Sequence, residues 1–381
     1  MKSRHGSPGG RRPSQADIIA YLRTSVPVFF PELGSSRLDL TPREYRRRST
    51  TELHWFDIVA GDAIREIVVK IHLGGSIAGV SPLAHWPRLE PCPDPETAAR
   101  AEFEAVASIY SHFRGRSAEG FGAVRALDVC TDRGMVVMER ATGVPLEDLL
   151  ARCHRFTNPS LLARVERACR NAGRWLRLFQ SLPELGRDGV YRPRRDDLLR
   201  AIRESGSYLT RQGEAPRLVE RTLDACRRAI LTSCPVESVM GVGHGDFWAG
   251  NVLVDDAGRV SIIDTCARWR TPVYQDAGYF LGGLHLTPRR VFTLHAWHSR
   301  RRMGRLRQAF LAGYLDGDRS AYVPICLFEV LCVLNRWANA ARNLARSSGV
   351  ERSLKSAKMS FRRAAFDDRL RDLADELERA V

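Results

Sequence analysis

Residues 242 to 264 read Val-Gly-His-Gly-Asp-Phe-Trp-Ala-Gly-Asn-Val-Leu-Val-Asp-Asp-Ala-Gly-Arg-Val-Ser-Ile-Ile-Asp. Three side chains in this stretch, Asp246, Asn251 and Asp264, are of the types that hold hard cations or move protons. Two short apolar runs, Asn251 to Val254 and Val260 to Ile263, flank Asp255-Asp256-Ala257-Gly258, and this pattern predicts a hairpin. Asn251 and Asp264 then stand at the two ends of that hairpin, close in space. Asp246 precedes Asn251 by five residues, across a loop that can fold back, so two carboxylates and an amide converge. Oxygen donors of this kind suit Mg²⁺, which takes one or two carboxylates together with phosphate oxygens and water. Asn251 and Asp264 are the candidate ligands. Asp246 lies outside that pair and is suited to accept a proton from a hydroxyl, or to align it for attack on a phosphoryl group. The bland alternative is a hairpin whose end carboxylates are merely solvated.

The same Asp-x-x-x-x-Asn spacing marks kinase catalytic loops. With His244-Gly245 before it and Ile263-Asp264 after the hairpin, the segment resembles the Brenner motif, H-G-D-x-x-x-x-N followed by a short hairpin and I-D, of the aminoglycoside phosphotransferase and choline kinase family. The resemblance runs from residue 43 to about residue 285. It implies an α+β, two-lobed, protein-kinase-like fold, with a small antiparallel-sheet N-terminal lobe and a larger, mostly helical C-terminal lobe. It also implies ATP and Mg²⁺ as cofactors and a hydroxyl-bearing small molecule as acceptor. The family's other parts occur upstream in order. Lys70 ends the apolar run Ile67-Val68-Val69, where kinase-like folds place the lysine that contacts the α- and β-phosphates. Its expected partner is Glu102, with Glu104 as the alternative. Met135 to Gly143 resembles the strand and hinge that bind adenine through main-chain groups, which puts Glu139 and Arg140 at the hinge. The phosphate-covering loop falls on Arg48-Ser49-Thr50-Thr51, with Ser49 and Thr50 as its candidate contacts. Here the chain departs from protein kinases, for it has no G-x-G-x-x-G before Lys70 and neither D-F-G nor A-P-E. A helix that ends in His in the family ends in Gln180, read as core packing. Asp276 is read as a loop anchor and His244 as an organiser of the catalytic loop.

The elements that must position these residues follow from pattern. Ser14 can cap a helix through Leu22, ended by the Ser25-Val26-Pro27 turn. Arg43 to Arg48, Glu52 to Ala60 and Ile64 to Ile71 read as strands, the last two joined at Gly61-Asp62. A Pro-rich loop from Pro82 to Pro95 leads to a helix over Thr97 to Phe113. Strands at Val124 to Val129 and Met135 to Glu139 follow, and helical patterns then dominate. The expected organisation is a flexible basic arm over 1–13, a nucleotide-binding lobe over 14–142 and a helical catalytic and substrate lobe over 143–381.

Among 381 residues, 59 basic and 44 acidic side chains give a net charge of +15. Such a balance first suggests nucleic acid, a membrane surface or a phosphorylated substrate. Only Lys2, Lys70, Lys355 and Lys358 are lysine, so the excess is arginine, which genomic codon bias explains as simply as polyanion binding. It also isolates Lys70 as a place where an ammonium is wanted. The first sixteen residues carry no apolar signal core. The longest apolar stretch, Val323 to Leu334, is interrupted by Glu329 and no transmembrane helix is expected. Nine scattered cysteines with no C-x-x-C pair read as reduced residues of a cytoplasmic protein. A chain this basic offers little welcome to a polycationic antibiotic. The acceptor expected is a small hydroxyl compound, whether sugar, amino alcohol, antibiotic or lipid-linked glycan intermediate, with a neutral or anionic one such as a sugar or a lipid-linked glycan intermediate, met through peripheral contact of basic residues with a membrane, favoured. Two other readings stand beside the enzyme: an inactive, nucleotide-binding pseudokinase acting as a basic interaction module, and a nucleic-acid binder that rests on charge alone.

Overall fold

The computed structural model describes residues 12–33, 38–74, 94–153, 158–265, 267–286 and 300–381. Most of the expected basic arm and of the Pro-rich loop, residues 1–11 and 82–93, lies outside them. The chain divides into two compact units. The first closes with Ala123–Ala141, and the second runs from Thr142 to the end with Phe113–Gly122 added.

The first unit is a five-stranded antiparallel sheet of β1 (Asp39–Arg47), β2 (Thr51–Ala60), β3 (Ala63–His72), β4 (Ala126–Cys130) and β5 (Met135–Glu139), in the order β1-β2-β3-β5-β4. β2 and β3 are joined by the tight turn the sequence predicts, with Ala60 paired to Ala63 and Gly61 at φ 59°. β1 begins at Asp39, before the expected Arg43, and carries Pro42. That is tolerated because β1 is an edge strand and its register slips between Pro42 and Glu44. Ile67, Val69 and Ile71 are buried against Ile18, Leu22 and Val26 of helix α1 (Gln15–Phe29), while Lys70 falls on the opposite face.

α1 starts where expected. The Ser14 hydroxyl accepts from the Asp17 amide at 3.2 Å, and the Asp17 carboxylate accepts from the Ser14 amide at 2.8 Å. Its end is not where the sequence puts it, for the helix runs through Pro27 to Phe29. Pro27 sits in the last turn, where few hydrogen bonds remain to be lost, and the burial of Val26, Phe29 and Phe30 outweighs the proline. Helix α2 (Pro95–Phe113) begins two residues before the expected Thr97, with proline at its first position and the Asp94 carboxylate accepting from the Thr97 amide at 2.7 Å.

The second unit is mostly helical: α3 (Leu146–Arg152), α4 (Pro159–Gln180), α5 (Arg195–Arg211), α6 (Pro216–Ser233), α7 (Tyr274–His285), α8 (Arg300–Leu315), α9 (Tyr322–Ala345) and α10 (Gly349–Ala380). Two small three-stranded sheets accompany them. One is β6 (Val144–Pro145), β9 (Val252–Val254) and β10 (Val260–Ile262), and the other is β7 (Gly189–Val190), β8 (Met240–Val242) and β11 (Trp269–Pro272). The core gathers Ile202, Val219, Ile230, Leu334, Trp337 and Leu370 from α5, α6, α9 and α10. One described helical stretch, Arg319–Ala345, is long and apolar enough to cross a membrane by length and composition only. Its apolar window is 83% buried within the protein, the mark of a core helix. The seven described cysteines form no disulfide, and burial pushes the Cys153 and Cys234 thiols up to about 11, which leaves these two almost wholly as thiols near pH 7.

Candidate active site

The loop after β8 folds back as the spacing of Asp246 and Asn251 requires. Asn251 closes a 3-10 turn, donating its amide to Trp248 O at 3.0 Å, and so lies just before the strand it was expected to begin. Its Nδ2 donates to both the Asp246 carbonyl and Asp246 Oδ2, each at 2.9 Å. That pair of hydrogen bonds fixes the exposed Asp246 carboxylate against the hairpin and turns the Asn251 Oδ1 away from it. β9 and β10 pair from Val252↔Ile262 to Val254↔Val260, and the Ile263 amide donates to Asn251 O at 3.1 Å. Asp264, the next residue, therefore stands beside Asn251. It adopts φ 58°, a left-handed conformation that costs a non-glycine residue about 1–3 kcal/mol and is kept where the surroundings over-determine it. Gly245, at φ 83°, makes the corresponding turn before Asp246.

Beneath the loop is a buried polar anchor. Asp276, near the start of α7, accepts the His244 amide on Oδ2 at 2.7 Å and the Gly245 amide on Oδ1 at 3.2 Å. Burial pushes its carboxyl up to about 6, against the pull of those two amides and with a further push from Asp246. His244 is wholly buried. Desolvation drives its imidazole down to about 3, although the Asp264 charge and the Ile263 backbone pull the other way. It is neutral near pH 7, and its Nδ1 accepts from the Asp246 amide at 3.3 Å, so it shapes the loop and carries no charge. Gln180 is buried as expected but also makes polar contacts, with Nε2 donating to Val273 O at 2.7 Å and Oε1 accepting from Tyr314 at 2.8 Å. The hydroxyl of Tyr314 is a group that sequence reading missed.

In the first unit Lys70 and Glu102 meet as predicted. Nζ donates to Glu102 Oε1 at 2.8 Å, with both side chains buried, whereas Glu104 is exposed. His72, missed from sequence, brings Nε2 within 2.9 Å of Glu102 Oε2. The period of two along β3, which puts residues 70 and 72 on one face, was the signal available. Ser49 and Thr50 form the two-residue turn between β1 and β2, closed by the Arg48 amide donating to Thr51 O at 2.8 Å and held to the end of β3 by the Leu73 amide donating to Thr50 O at 2.9 Å. At the expected hinge, the Glu139 amide donates to Arg125 O and the Arg140 amide to Glu66 O, both at 2.9 Å. The Arg140 guanidinium also donates to Glu66 Oε1 at 2.6 Å. Neither of these amides is presented to a ligand.

Among the described residues no cluster of three or more His, Cys, Asp or Glu side chains forms a closed metal cage. Asn251 and Asp264 are neighbours along the hairpin backbone, through the Ile263 amide on Asn251 O, and the donors they carry are one amide oxygen and one carboxylate. This is a small set of hard ligands, and it fits an ion that keeps most of its shell for water and phosphate.

The family model for the phosphotransferase enzyme family (APH) matches residues 57–274. The chain belongs to that family and is an enzyme of the small-molecule kinase type, with the α+β architecture described above. Similar solved structures include the aminoglycoside phosphotransferase APH(4)-Ia, at 16% identity over 92% of this chain and 98% of the other, TM-score 0.46. The choline kinase of Cryptosporidium parvum Iowa II is similar at 10% identity over 96% and 97%, TM-score 0.49. The macrolide 2'-phosphotransferase MphH of Brachybacterium faecium is similar at 15% identity over 90% and 98%, TM-score 0.46. No curated protein sequence matches the chain.

Proposed function

We propose that this protein transfers the γ-phosphoryl group of ATP to a hydroxyl of a small molecule. The observation that carries this reading is the joining of Asp246 to Asn251 by the two 2.9 Å hydrogen bonds, at the foot of a hairpin that ends in Asp264. Asp246 is exposed and rigidly held, so it can accept a hydrogen bond from an alcohol and take its proton as the oxygen attacks phosphorus. Asn251 Oδ1 and Asp264 would hold Mg²⁺. When bound, that ion neutralises charge on the phosphate oxygens. Lys70 contributes a fixed ammonium for the phosphates, and Glu102 holds it in one rotamer, which removes the freedom that would blunt a single long side chain. The Ser49-Thr50 turn supplies hydroxyls for phosphate oxygens. At the hinge, with the Glu139 and Arg140 amides engaged, adenine recognition falls to carbonyl oxygens of that segment or to backbone beyond Arg140. The reduced cysteines and the use of ATP support a cytoplasmic reaction.

Label placement tests the reading. With γ-labelled ATP, label should pass to a hydroxyl compound in a panel of sugars, amino alcohols and antibiotics; with α-labelled ATP it should not. Transfer of α-label, or of none across the panel, would contradict it.

A further inference from the structure

Behind the loop that carries Asp246, two buried side chains join three helices at one backbone atom. That atom is the carbonyl oxygen of Val273, at the N-terminal end of α7 and three residues before Asp276. Gln180, the last residue of α4, donates to it from Nε2 at 2.7 Å, and the hydroxyl of Tyr314, in the last turn of α8, lies 2.9 Å from it. The two side chains also meet each other, with the Tyr314 hydroxyl 2.8 Å from Gln180 Oε1. Each residue is only 5% exposed, so these contacts are kept out of water.

The chemistry leaves the amide one orientation. Val273 O can only accept, so the edge of Gln180 that faces it is the NH₂ edge. Gln180 Oε1 then turns to Tyr314, whose single proton lies between that oxygen and Val273 O. Burial raises the Asp276 carboxyl, and the Gln180 side chain is among the groups that pull it back toward the charged form. The two outer helices bring these groups together with little play. A Cβ on Gly173 of α4 would meet Phe310 O of α8, and one on Gly313 of α8 would meet Arg170 O of α4, so the backbones touch beside Tyr314.

From α7 the connections continue to Asp246. Strand β8 leads into the loop and β11 leads into α7; the two are paired, and beyond them the Val273 amide donates to Val239 O at 3.0 Å. Asp276 then holds the amides of His244 and Gly245, the two residues before Asp246. The start of α7 is therefore the fixed point from which that turn is held.

We propose that Gln180 and Tyr314 are positioning residues for phosphoryl transfer, a clamp on the start of α7 that sets, through Asp276, where the Asp246 carboxylate stands. This rests on the reading of Asp246 as the group that takes the acceptor's proton, but the first test needs no acceptor. Tyr314→Phe keeps the ring and removes the hydroxyl, and Gln180→Met keeps the length and removes the amide. In the full chain, hydrogen exchange at the amides of His244, Gly245 and Asp246 should quicken by about fivefold to tenfold in each variant. Amides of α5 and α9 should keep their native rates. For transfer from ATP to a hydroxyl acceptor, kcat should fall by about tenfold with KM for ATP unchanged, since Lys70 and Glu102 take no part in the clamp. Unchanged exchange at the loop, faster exchange throughout the helical unit, or native kcat, in both variants, would overturn the proposal. If the native protein forms no product, the phosphotransfer reading fails by itself, and exchange at the loop then decides the clamp.

Discussion

At the scale of single residues the site relies on what burial does to charge. His244 and Asp276 are both buried at the loop that carries Asp246, and their protonation responds to acid in opposite senses. The His244 pKa, lowered to about 3, means that the unfolded chain binds the proton first as pH falls below about 6.5, so this group removes stability between that pH and about 3. The Asp276 pKa, raised to about 6, means that the folded chain binds the proton first, so this group adds stability as pH falls from about 6 toward 3.8. Over the shared window the two largely cancel. Asp276→Asn should therefore lose stability more steeply than the native protein between pH 6 and 4, by about 1.4 kcal/mol per pH unit, in denaturant titrations at each pH. Parallel curves would remove the linkage. Lys70 is the second residue-scale case. Its ammonium is a point charge fixed by Glu102, and guanidinium geometry does not substitute for it. Lys70→Arg should lower kcat/KM for ATP by roughly tenfold or more while leaving the thermal transition close to native.

Elements explain how much of this was legible beforehand. The hairpin after Asn251 and the strand that carries Lys70 were readable because their apolar runs are short and bounded by turn residues. The Glu102 partnership needed one more step, since Glu104 is equally close in sequence and only the buried face of α2 separates them. Where local signals and burial disagree, burial wins: Pro27 reads as a helix end, yet α1 continues because Val26 and Phe29 complete the packing on β3. Side chains acting through backbone, such as Tyr314 on Val273 O at 2.9 Å, leave no trace in spacing. The hinge amides likewise look available in sequence and are engaged in the sheet. Because α1 covers the sheet face behind Lys70, Leu22→Ala should destabilise the protein by about 2–5 kcal/mol in chemical unfolding. A loss below about 1 kcal/mol would mean that α1 is dispensable to this core.

For the molecule as a whole, the charge of +15 is the feature most open to misreading. Much of the arginine is paired where the structure describes it, as in Arg221 with Asp375 and Glu378, or Arg363 with Glu214. The remaining excess predicts loose association with polyanions. Duplex DNA should bind only at low ionic strength and release as salt approaches about 0.15 M, where screening acts within roughly 8 Å. Tight binding that persists above that salt would restore the nucleic-acid reading. An inactive, nucleotide-binding module would keep the same fold and the same Lys70–Glu102 pair, so architecture alone does not separate it from an enzyme. Chemistry does. The most direct measurement is the ATP-dependent gain of one phosphate, by mass spectrometry, across a panel of hydroxyl compounds, comparing native protein with Asp246→Asn. At least one phosphorylated product is expected, its rate of formation falling by about a hundredfold to ten-thousandfold in the variant while ATP still binds. Equal rates in the two proteins, or ATP binding with no product from either, would contradict phosphoryl transfer through Asp246.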